Sequence, residues 1–163
     1  MPQHYDPHNY SSQDSLGYLL KINHSLMHDC GERIFATHDI SFVQWLVLIK
    51  VKDGSAQTAS DLCRKMFHDN GAITRMLDQL EERDLIERQR NTHDRRVVNL
   101  KITDAGLEKL SDLTPAVVHN LNAALEAFST AEFAQLIGLL QKLKISLQQH
   151  TEALAATPTQ EPL

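Results

Sequence analysis

Three polar residues and a glycine near the middle of the chain are of the types found where a helix contacts nucleic-acid bases. An apolar stripe that begins at Ile73 and recurs at i+3, i+4 and i+7 predicts a helix starting near Asp69. The opposite side of this helix carries, near its beginning, Asn70, Gly71, Thr74 and Arg75. Asn and Arg make bidentate contacts to base edges, Thr bonds bases or phosphates, and Gly allows close backbone approach. The set suits DNA contact, although taken alone it more often accompanies an ordinary solvated helix face.

A basic hairpin follows this helix and favours the DNA interpretation. Residues 83–101 contain six Lys or Arg and three Asp or Glu, a net charge of +3 within a chain of net charge −5. Strands are predicted at residues 85–91 and 97–102, joined by a polar loop. Two short helices followed by a charged hairpin form the winged-helix arrangement, which places one helix in the major groove and the wing at the phosphates or the minor groove. The hairpin residues predicted to contact DNA are Arg88, Arg90, His93, Asp94, Arg95 and Arg96. For Arg88 and Arg90 the contact is with phosphate, or else they simply solvate the strand.

The composition bounds the class of protein. The chain has 163 residues, of which 42% are hydrophobic and 23% charged, as in a soluble globular protein with one core. No apolar run approaches the ~18 residues that cross a bilayer, and residues 1–13 lack a secretory signal. We therefore expect a cytoplasmic protein with no membrane partner. Since no nucleophile with a base, glycine-rich phosphate loop or conventional metal motif is present, we expect neither an enzyme nor a cofactor.

Apolar periodicity and capping residues predict six helices around the hairpin. The first covers residues 15–36. The others begin, in order, after the capping residues Ser41, Thr58, Asp69, Thr103 and Ser129. The fifth helix runs to about residue 128 and the last to about residue 150. The predicted fold is therefore mainly α, a winged helix-turn-helix with a two-stranded wing plus N- and C-terminal helices.

Three short motifs carry a family resemblance. Residues 80–88 read L-E-E-R-D-L-I-E-R, residues 94–96 read D-R-R, and residues 100–106 read L-K-I-T-D-A-G. In this order and spacing they resemble the L-E-x-x-G-L-[IV]-x-R, D-x-R and L-x-[LIV]-T-x-x-G patterns of the MarR family of bacterial ligand-responsive transcriptional regulators. One departure is Asp84 where the family usually has Gly. Because Asp tolerates the left-handed conformation better than most residues, we expect only mild strain there.

The resemblance implies roles for the wing residues. Asp94 would brace the wing through an ion pair with a nearby arginine, and Arg95 or Arg96 would reach the minor groove. Asp-Arg pairs are also common in any tight hairpin, so a purely structural role stays open.

A homodimer is expected from the helices outside the wing. The winged segment is only 63 residues long, too small to cover the apolar stripes of three further helices, and a second subunit is the simplest cover. The resemblance implies the same two-fold dimer, inverted-repeat operators and, most commonly, repression. The predicted organisation is a flexible tail at 1–13, a dimerisation helix at 14–40, the DNA-binding domain at 41–103, dimerisation helices at 104–150 and a flexible tail at 151–163.

The resemblance also implies an effector. Family members commonly bind a small aromatic or phenolic anion between the dimer helices and the DNA-binding lobe, which weakens the grip on DNA. The residues that could line such a pocket are His24, Met27, His28 and Trp45. A core role for Trp45 and a solvated role for the histidines are the alternatives.

Other functions remain open at this point. His24 and His28 lie i, i+4 with Cys30 close by, and could form part of a zinc or copper site. Cys30 could instead respond to peroxide. The acidic residues of the central helix also leave room for a winged-helix module that binds protein and has lost DNA binding.

Overall fold

The computed structural model describes residues 3–66, 68–92 and 94–156. Within that part of the chain, six helices and one two-stranded sheet occur in the predicted order. The helices are α1 (Leu16–Phe35), α2 (Phe42–Lys52), α3 (Ala59–Met66), α4 (Asn70–Glu82), α5 (Asp104–Ala124) and α6 (Thr130–Ala156), and the strands are β1 (Ile86–Arg90) and β2 (Val98–Ile102). The mainly helical winged-helix fold is thus confirmed. The chain divides into two compact units, Met1–Asn120 and Leu121–Leu163.

The helix starts follow from side chains that satisfy free backbone N–H groups. Ser41 Oγ accepts a hydrogen bond from Gln44 N at 3.2 Å, while Gln44 Oε1 accepts one from Ser41 N at 2.9 Å. Ser129 and Glu132 repeat this reciprocal box at the start of α6. Each cap pairs donors that a helix end otherwise leaves unpaired, which explains why the predicted starts are correct.

The core of the first unit lies among α2, α3, α4, α5 and the wing. Its largest fully buried side chains are Leu48, Leu62, Ile73, Leu77, Leu80, Ile86, Leu110, Val47 and Val117. The continuous apolar run of α2 has no exposed residue between positions 40 and 51, as its composition predicts. This core fixes α4 from its apolar side and leaves its polar side to solvent.

The wing is an antiparallel hairpin in which Ile86 pairs with Ile102, Arg88 with Leu100 and Arg90 with Val98. The strands lie within one residue of the predicted bounds. Leu100 N also donates to Gln57 O at 2.8 Å, which attaches the wing to the segment before α3.

The end of α4 is a Schellman motif built on an aspartate. Asp84 has φ 56°, in the left-handed region. Its N–H bonds Glu81 O, and Leu85 N–H bonds Leu80 O, both at 2.9 Å. The expectation that Asp84 takes the conformation usually given to Gly is confirmed.

The start of α5 packs against this same turn. Thr103 Oγ1 donates to Asp84 O at 2.5 Å and accepts from Gly106 N at 3.0 Å. A Cβ on Gly106 would lie 2.2 Å from Leu85 O, so no side chain fits there. The T-x-x-G pattern at residues 103–106 is therefore a cap followed by a close approach of two backbones.

Several predicted boundaries are wrong. α5 ends at Ala124 rather than near 128, because residues 125–129 form a turn with Leu125 N and Phe128 N bonded to carbonyls three residues earlier. α6 continues to Ala156, so residues 151–156 of the predicted C-terminal tail are helical; residues 157–163 lie outside the described residues.

The predicted N-terminal tail is irregular but makes contacts. Tyr5 Oη accepts a hydrogen bond from Leu16 N at 2.8 Å, and its ring packs edge-on against Tyr10 at 5.6 Å. Across the described residues, no helix is both long and apolar enough to span a membrane.

Candidate nucleic-acid interface

The helix predicted to meet DNA, α4, begins with a carboxylate cap. Asp69 accepts a hydrogen bond from the backbone N–H of Ala72 at 2.8 Å. This bond, aided by the charge of Arg75, holds the pKa of the Asp69 carboxyl below its usual value. The cap fixes the helix start immediately before the four predicted DNA-contact residues. The helix dipole favours the charged form of the Asp69 carboxylate.

All four predicted contacts on α4 are exposed and lie within its first six residues. The Thr74 hydroxyl donates to Asn70 O at 2.7 Å, and the thiol of Cys63 on α3 donates to Asn70 Oδ1 at 2.9 Å. Gly71 has no side chain to shield the backbone, and the Arg75 guanidinium forms no hydrogen bond with any described residue. The structure therefore brings these four residues together on one open surface.

The second half of α4 uses its polar side chains internally. Gln79 Oε1 accepts a hydrogen bond at 2.9 Å from Nε2 of Gln44, whose own Oε1 closes the capping box of α2. Asp78 and Glu81 both pair with Arg88 of the wing. The helix is thus polarised: the polar side of its N-terminal half is exposed and forms no ion pair with a described residue, whereas its C-terminal half is bonded to the wing and to α2.

Arg88 differs from its predicted role. Its Nη1 lies 2.6 Å from Glu81 Oε2, its Nη2 lies 2.7 Å from Asp78 Oδ1, and its backbone N–H donates to Glu81 Oε1 at 3.3 Å. The side chain is only 27% exposed. Arg88 therefore holds the wing against α4 instead of solvating the strand or offering a free cation to phosphate. Strand alternation alone gave no signal of these partners, because they lie on the preceding helix.

A second set of charges joins the end of α4 to α5, and sequence patterns did not indicate it. Arg83, the residue that ends α4, donates from Nη1 to Asp39 O at 2.5 Å and pairs through Nη2 with the Asp39 carboxylate. Lys109 of α5 lies 3.2 Å and 3.3 Å from the two carboxylate oxygens. Partial burial raises the pKa of the Asp39 carboxyl, but the Lys109 hydrogen bond and the charges of Arg83 and Lys109 outweigh it and leave the pKa below its usual value.

The tip of the wing is closed by hydrogen bonds from backbone N–H groups to side-chain oxygens. Asp94 Oδ1 accepts from Arg96 N at 2.9 Å, and Asp94 N donates to Asn91 Oδ1 at 3.1 Å. Among the described residues Asp94 has no arginine ion pair, so it braces the wing through an Asx turn rather than through the expected salt bridge. Arg95 and Arg96 are exposed. His93, also predicted to contact DNA, lies outside the described residues.

The cationic side chains of this region fall into two groups. Between residues 60 and 110, six of the ten Lys and Arg side chains bond a carboxylate or a carbonyl oxygen within the described structure. The four without a bond of either kind to a described residue are Arg75, Arg90, Arg95 and Arg96. All four are exposed and all four belong to the predicted DNA-contact set, so the uncompensated positive charge is concentrated where phosphate would lie.

The residues predicted to line an effector pocket fall only partly together. Trp45 stacks on Phe42 at 6.0 Å, and His28 meets the Phe42 ring edge-on at 6.3 Å. Trp45 Nε1 is buried and has no hydrogen-bond partner among the described residues. His24 and Met27 are exposed on α1 and make no ring contact with this cluster in the described structure.

The weak metal candidates are not assembled into a site. In the described ranges, no group of three or more His, Cys, Asp or Glu side chains is placed to hold a metal ion. His28 instead lies 4.0 Å from Asp29 and 3.9 Å from Glu32, and Cys30 is an exposed free thiol.

These features define a class. Two consecutive helices with an open, polar second helix, followed by a wing with exposed arginines, constitute a winged helix-turn-helix of the DNA-binding type. The model of the MarR family matches residues 40–98. Over this segment the chain is similar to the MarR family of transcriptional regulators.

Individual relatives agree with this assignment. The repressor MdtR of Bacillus subtilis (strain 168) is 37% identical over 70 residues, which are 43% of this chain and 45% of that protein. The transcriptional repressor MprA of Escherichia coli (strain K12) is 31% identical over 104 residues, 64% of this chain and 59% of that protein. This chain thus spans about half the length of the curated relatives it matches. A mutant MarR from E. coli, solved in complex with operator DNA, has a TM-score of 0.69 and 27% identity, over 78% of this chain and 92% of that one.

Proposed function

We propose that this protein is a homodimeric transcriptional repressor that binds inverted-repeat operators in double-stranded DNA. The observation that carries the proposal is the polarity of α4: the polar side of its N-terminal half is exposed and forms no ion pair with a described residue, while Asp78, Gln79 and Glu81 in its second half bond neighbouring elements. A recognition helix enters the major groove with its N-terminal residues, so the exposed half is the half that must read bases.

The DNA contacts divide by chemistry. Asn70, Gly71, Thr74 and Arg75 lie where base edges and adjacent phosphates would meet α4. Arg90, Arg95 and Arg96 supply charge from the wing, and Asp94 shapes its tip. His93 belongs to the same loop by sequence. Arg88 is a positioning residue in this scheme, because both its terminal nitrogens already bond carboxylates.

The homodimer is supported by apolar surface on the terminal helices. On α1, the side chains of Leu16, Leu19, Leu26 and Met27 are each more than 40% exposed. Helix α6 buries none of its residues within the described chain, and Leu139, Ile145, Leu147 and Leu154 are each more than half exposed. A 27-residue helix that exposes this much apolar surface needs a partner to cover it in a stable protein. We propose that the partner is a second copy of the chain.

The effector we propose is a small aromatic or phenolic anion bound beside Trp45 and His28, with His24 and Met27 on the same helix as flanking residues. The unpaired indole N–H of Trp45 supports this site, since a buried donor without a partner is costly and a carboxylate or hydroxyl would satisfy it. Release of DNA by such an effector needs a coupling of about 1 to 3 kcal/mol.

The test begins with the full-length chain and a library of random duplexes. Selection at low salt is expected to enrich an inverted repeat whose half-sites lie about 34 to 36 Å apart, bound by a species of twice the chain mass in light scattering. Thermal-shift screening of phenolic acids, metals and peroxide then identifies an effector, and a true effector must also release the enriched duplex. Failure to enrich any duplex, with the protein folded, would instead favour a protein-binding module.

A further inference from the structure

We propose that Asp39 is a positioning residue for DNA reading, which fixes the end of the recognition helix α4 to helix α5. The inference rests on the proposed function. Asp39 belongs to the loop between α1 and α2 and takes no part in the predicted DNA surface. Its two cationic partners, Arg83 and Lys109, lie 44 and 70 residues away in sequence.

Asp39 connects three elements: the loop between α1 and α2, the end of α4 and helix α5. We call this set of contacts the tie. Arg83 bonds both the backbone carbonyl and the carboxylate of Asp39, so the guanidinium cannot rotate freely about a single bond. Lys109 reaches both carboxylate oxygens from α5. The side chains of Arg83 and Lys109 are 30% and 29% exposed, well below the 59% of Asp39. The two cations therefore pack against the protein, and the carboxylate lies on their solvent side.

This cluster lies at the opposite end of α4 from the base-reading residues, so a small rotation of the helix at the cluster displaces those residues. Arg83 directly follows the last helical residue, whereas Asn70 begins the helix thirteen residues earlier. A helix of that length is about 20 Å long, so a tilt of about 5° at Arg83 displaces Asn70 by roughly 2 Å. Base-edge hydrogen bonds do not survive such a displacement, whereas phosphate contacts from flexible arginines do.

Loss of the tie should therefore change sequence preference more than general DNA affinity. Electrostatics alone predicts the opposite sign, because replacing Asp39 by a neutral residue removes a negative charge and should tighten binding to any duplex. The two explanations are separable in one variant.

The experiment compares Asp39→Asn with Asp112→Asn in the full-length protein. Asp112 is an exposed carboxylate on α5 with no side-chain bond to any described residue, so its variant makes the same change in net charge. Affinities are measured by fluorescence anisotropy for the enriched inverted repeat and for a scrambled duplex. Asp39→Asn is expected to weaken the repeat about 5- to 30-fold and the scrambled duplex less than twofold; Asp112→Asn is expected to leave their ratio unchanged.

Two further outcomes keep the inference separate from the proposed function. An unchanged ratio of the two affinities in Asp39→Asn, with wild type showing a clear preference, overturns the Asp39 inference alone, whereas absence of a preference in wild type overturns the proposed function. In the free protein, Asp39→Asn is also expected to speed amide hydrogen exchange at the end of α4 and around Lys109, without a change in circular dichroism. Unchanged exchange there overturns the tie, whatever the DNA result.

Discussion

Arg88 of the wing holds Glu81 of the recognition helix through two bonds, one from its guanidinium at 2.6 Å and one from its backbone N–H at 3.3 Å. The same guanidinium neutralises Asp78 at 2.7 Å. One arginine thus joins β1 to α4 and neutralises two carboxylates of the helix.

Replacing Arg88 by Met should weaken DNA binding without removing a phosphate contact. Asp78 and Glu81 would be left uncompensated, and the wing would lose its attachment to α4. We expect the free energy of unfolding to fall by about 1 to 2 kcal/mol, since the side chain is mostly covered. The number of phosphates neutralised, read from the slope of log affinity against log salt, should stay the same. A shallower slope with unchanged stability would restore the phosphate-contact role predicted from sequence.

Replacing Asp84 by Gly should stabilise the fold. The aspartate occupies a left-handed conformation at φ 56°, which costs an L-residue roughly 1 kcal/mol, partly offset by the greater freedom of Gly in the unfolded chain. The expected gain is a few tenths of a kcal/mol, up to about 1. Urea unfolding checks it, with Asp84→Asn as a control that should be close to neutral and Asp84→Ala as one that should destabilise. A loss of stability in Asp84→Gly would mean that the aspartate side chain itself holds the turn.

Replacing Gly106 by Ala should be among the most damaging single-methyl changes in the chain. The new Cβ would meet Leu85 O at 2.2 Å, and the partner atom is backbone that cannot rotate away. We expect a loss of about 2 kcal/mol or more. Gly17→Ala is the matched control, because a Cβ there meets nothing within 4 Å and Ala favours the helix. Equal urea midpoints for the two variants would contradict the close approach of α5 to the end of α4.

The carboxylate of Asp61 should give stability that depends on pH. It accepts hydrogen bonds from Thr58 Oγ1 at 3.0 Å and from the backbone N–H groups of Gln57 and Thr58 at 3.2 Å, and it pairs with Arg64. The Thr58 hydroxyl bond first, and then these other contacts, hold the pKa of Asp61 below its usual value of 3.8.

Because the pKa is lowered in the folded state, the stabilisation is complete above 3.8 and is lost as the pH falls through the lower, folded value. Asp61→Asn should therefore be less stable than wild type by about 1 kcal/mol at pH 7, and the gap should close below pH 3.8. Urea midpoints of both proteins at several pH values measure it; a gap that stays constant into acid would show that the charge of Asp61 contributes nothing.

Local features of this fold could be predicted from sequence, whereas contacts between distant elements could not. The caps at Ser41 and Ser129 and the left-handed turn at Asp84 depend on residues within a few positions of each other. Gln44 reads as a capping residue, yet it also bonds Gln79, 35 residues away. That second bond exists only because the core brings α2 and α4 together.

The same distinction explains the site. Exposure of Asn70 and Arg75 follows from helix periodicity, since the apolar stripe determines which side is buried. The pairing of Arg88 with Asp78 and Glu81 does not follow from periodicity, because it depends on how the wing folds back on α4. Likewise α5 ends at Ala124 without a Gly or Pro in the turn that follows, so its end lacked a sequence signal.

The central claim is that the exposed arginines of the wing and the exposed N-terminal half of α4 bind DNA. The most direct measurement is the affinity of wild type, Arg95→Ala, Arg96→Ala and Lys101→Ala for the enriched duplex between 50 and 200 mM salt, an interval over which phosphate contacts lose roughly 10³- to 10⁵-fold when there are six to ten of them. Each of the two wing-tip variants should reduce the salt slope by about 1 per protomer. Lys101→Ala should leave it unchanged, because Lys101 already pairs with Glu87 at 3.3 Å. Wild-type binding that is insensitive to salt, or equal slopes in all four proteins, would contradict the account.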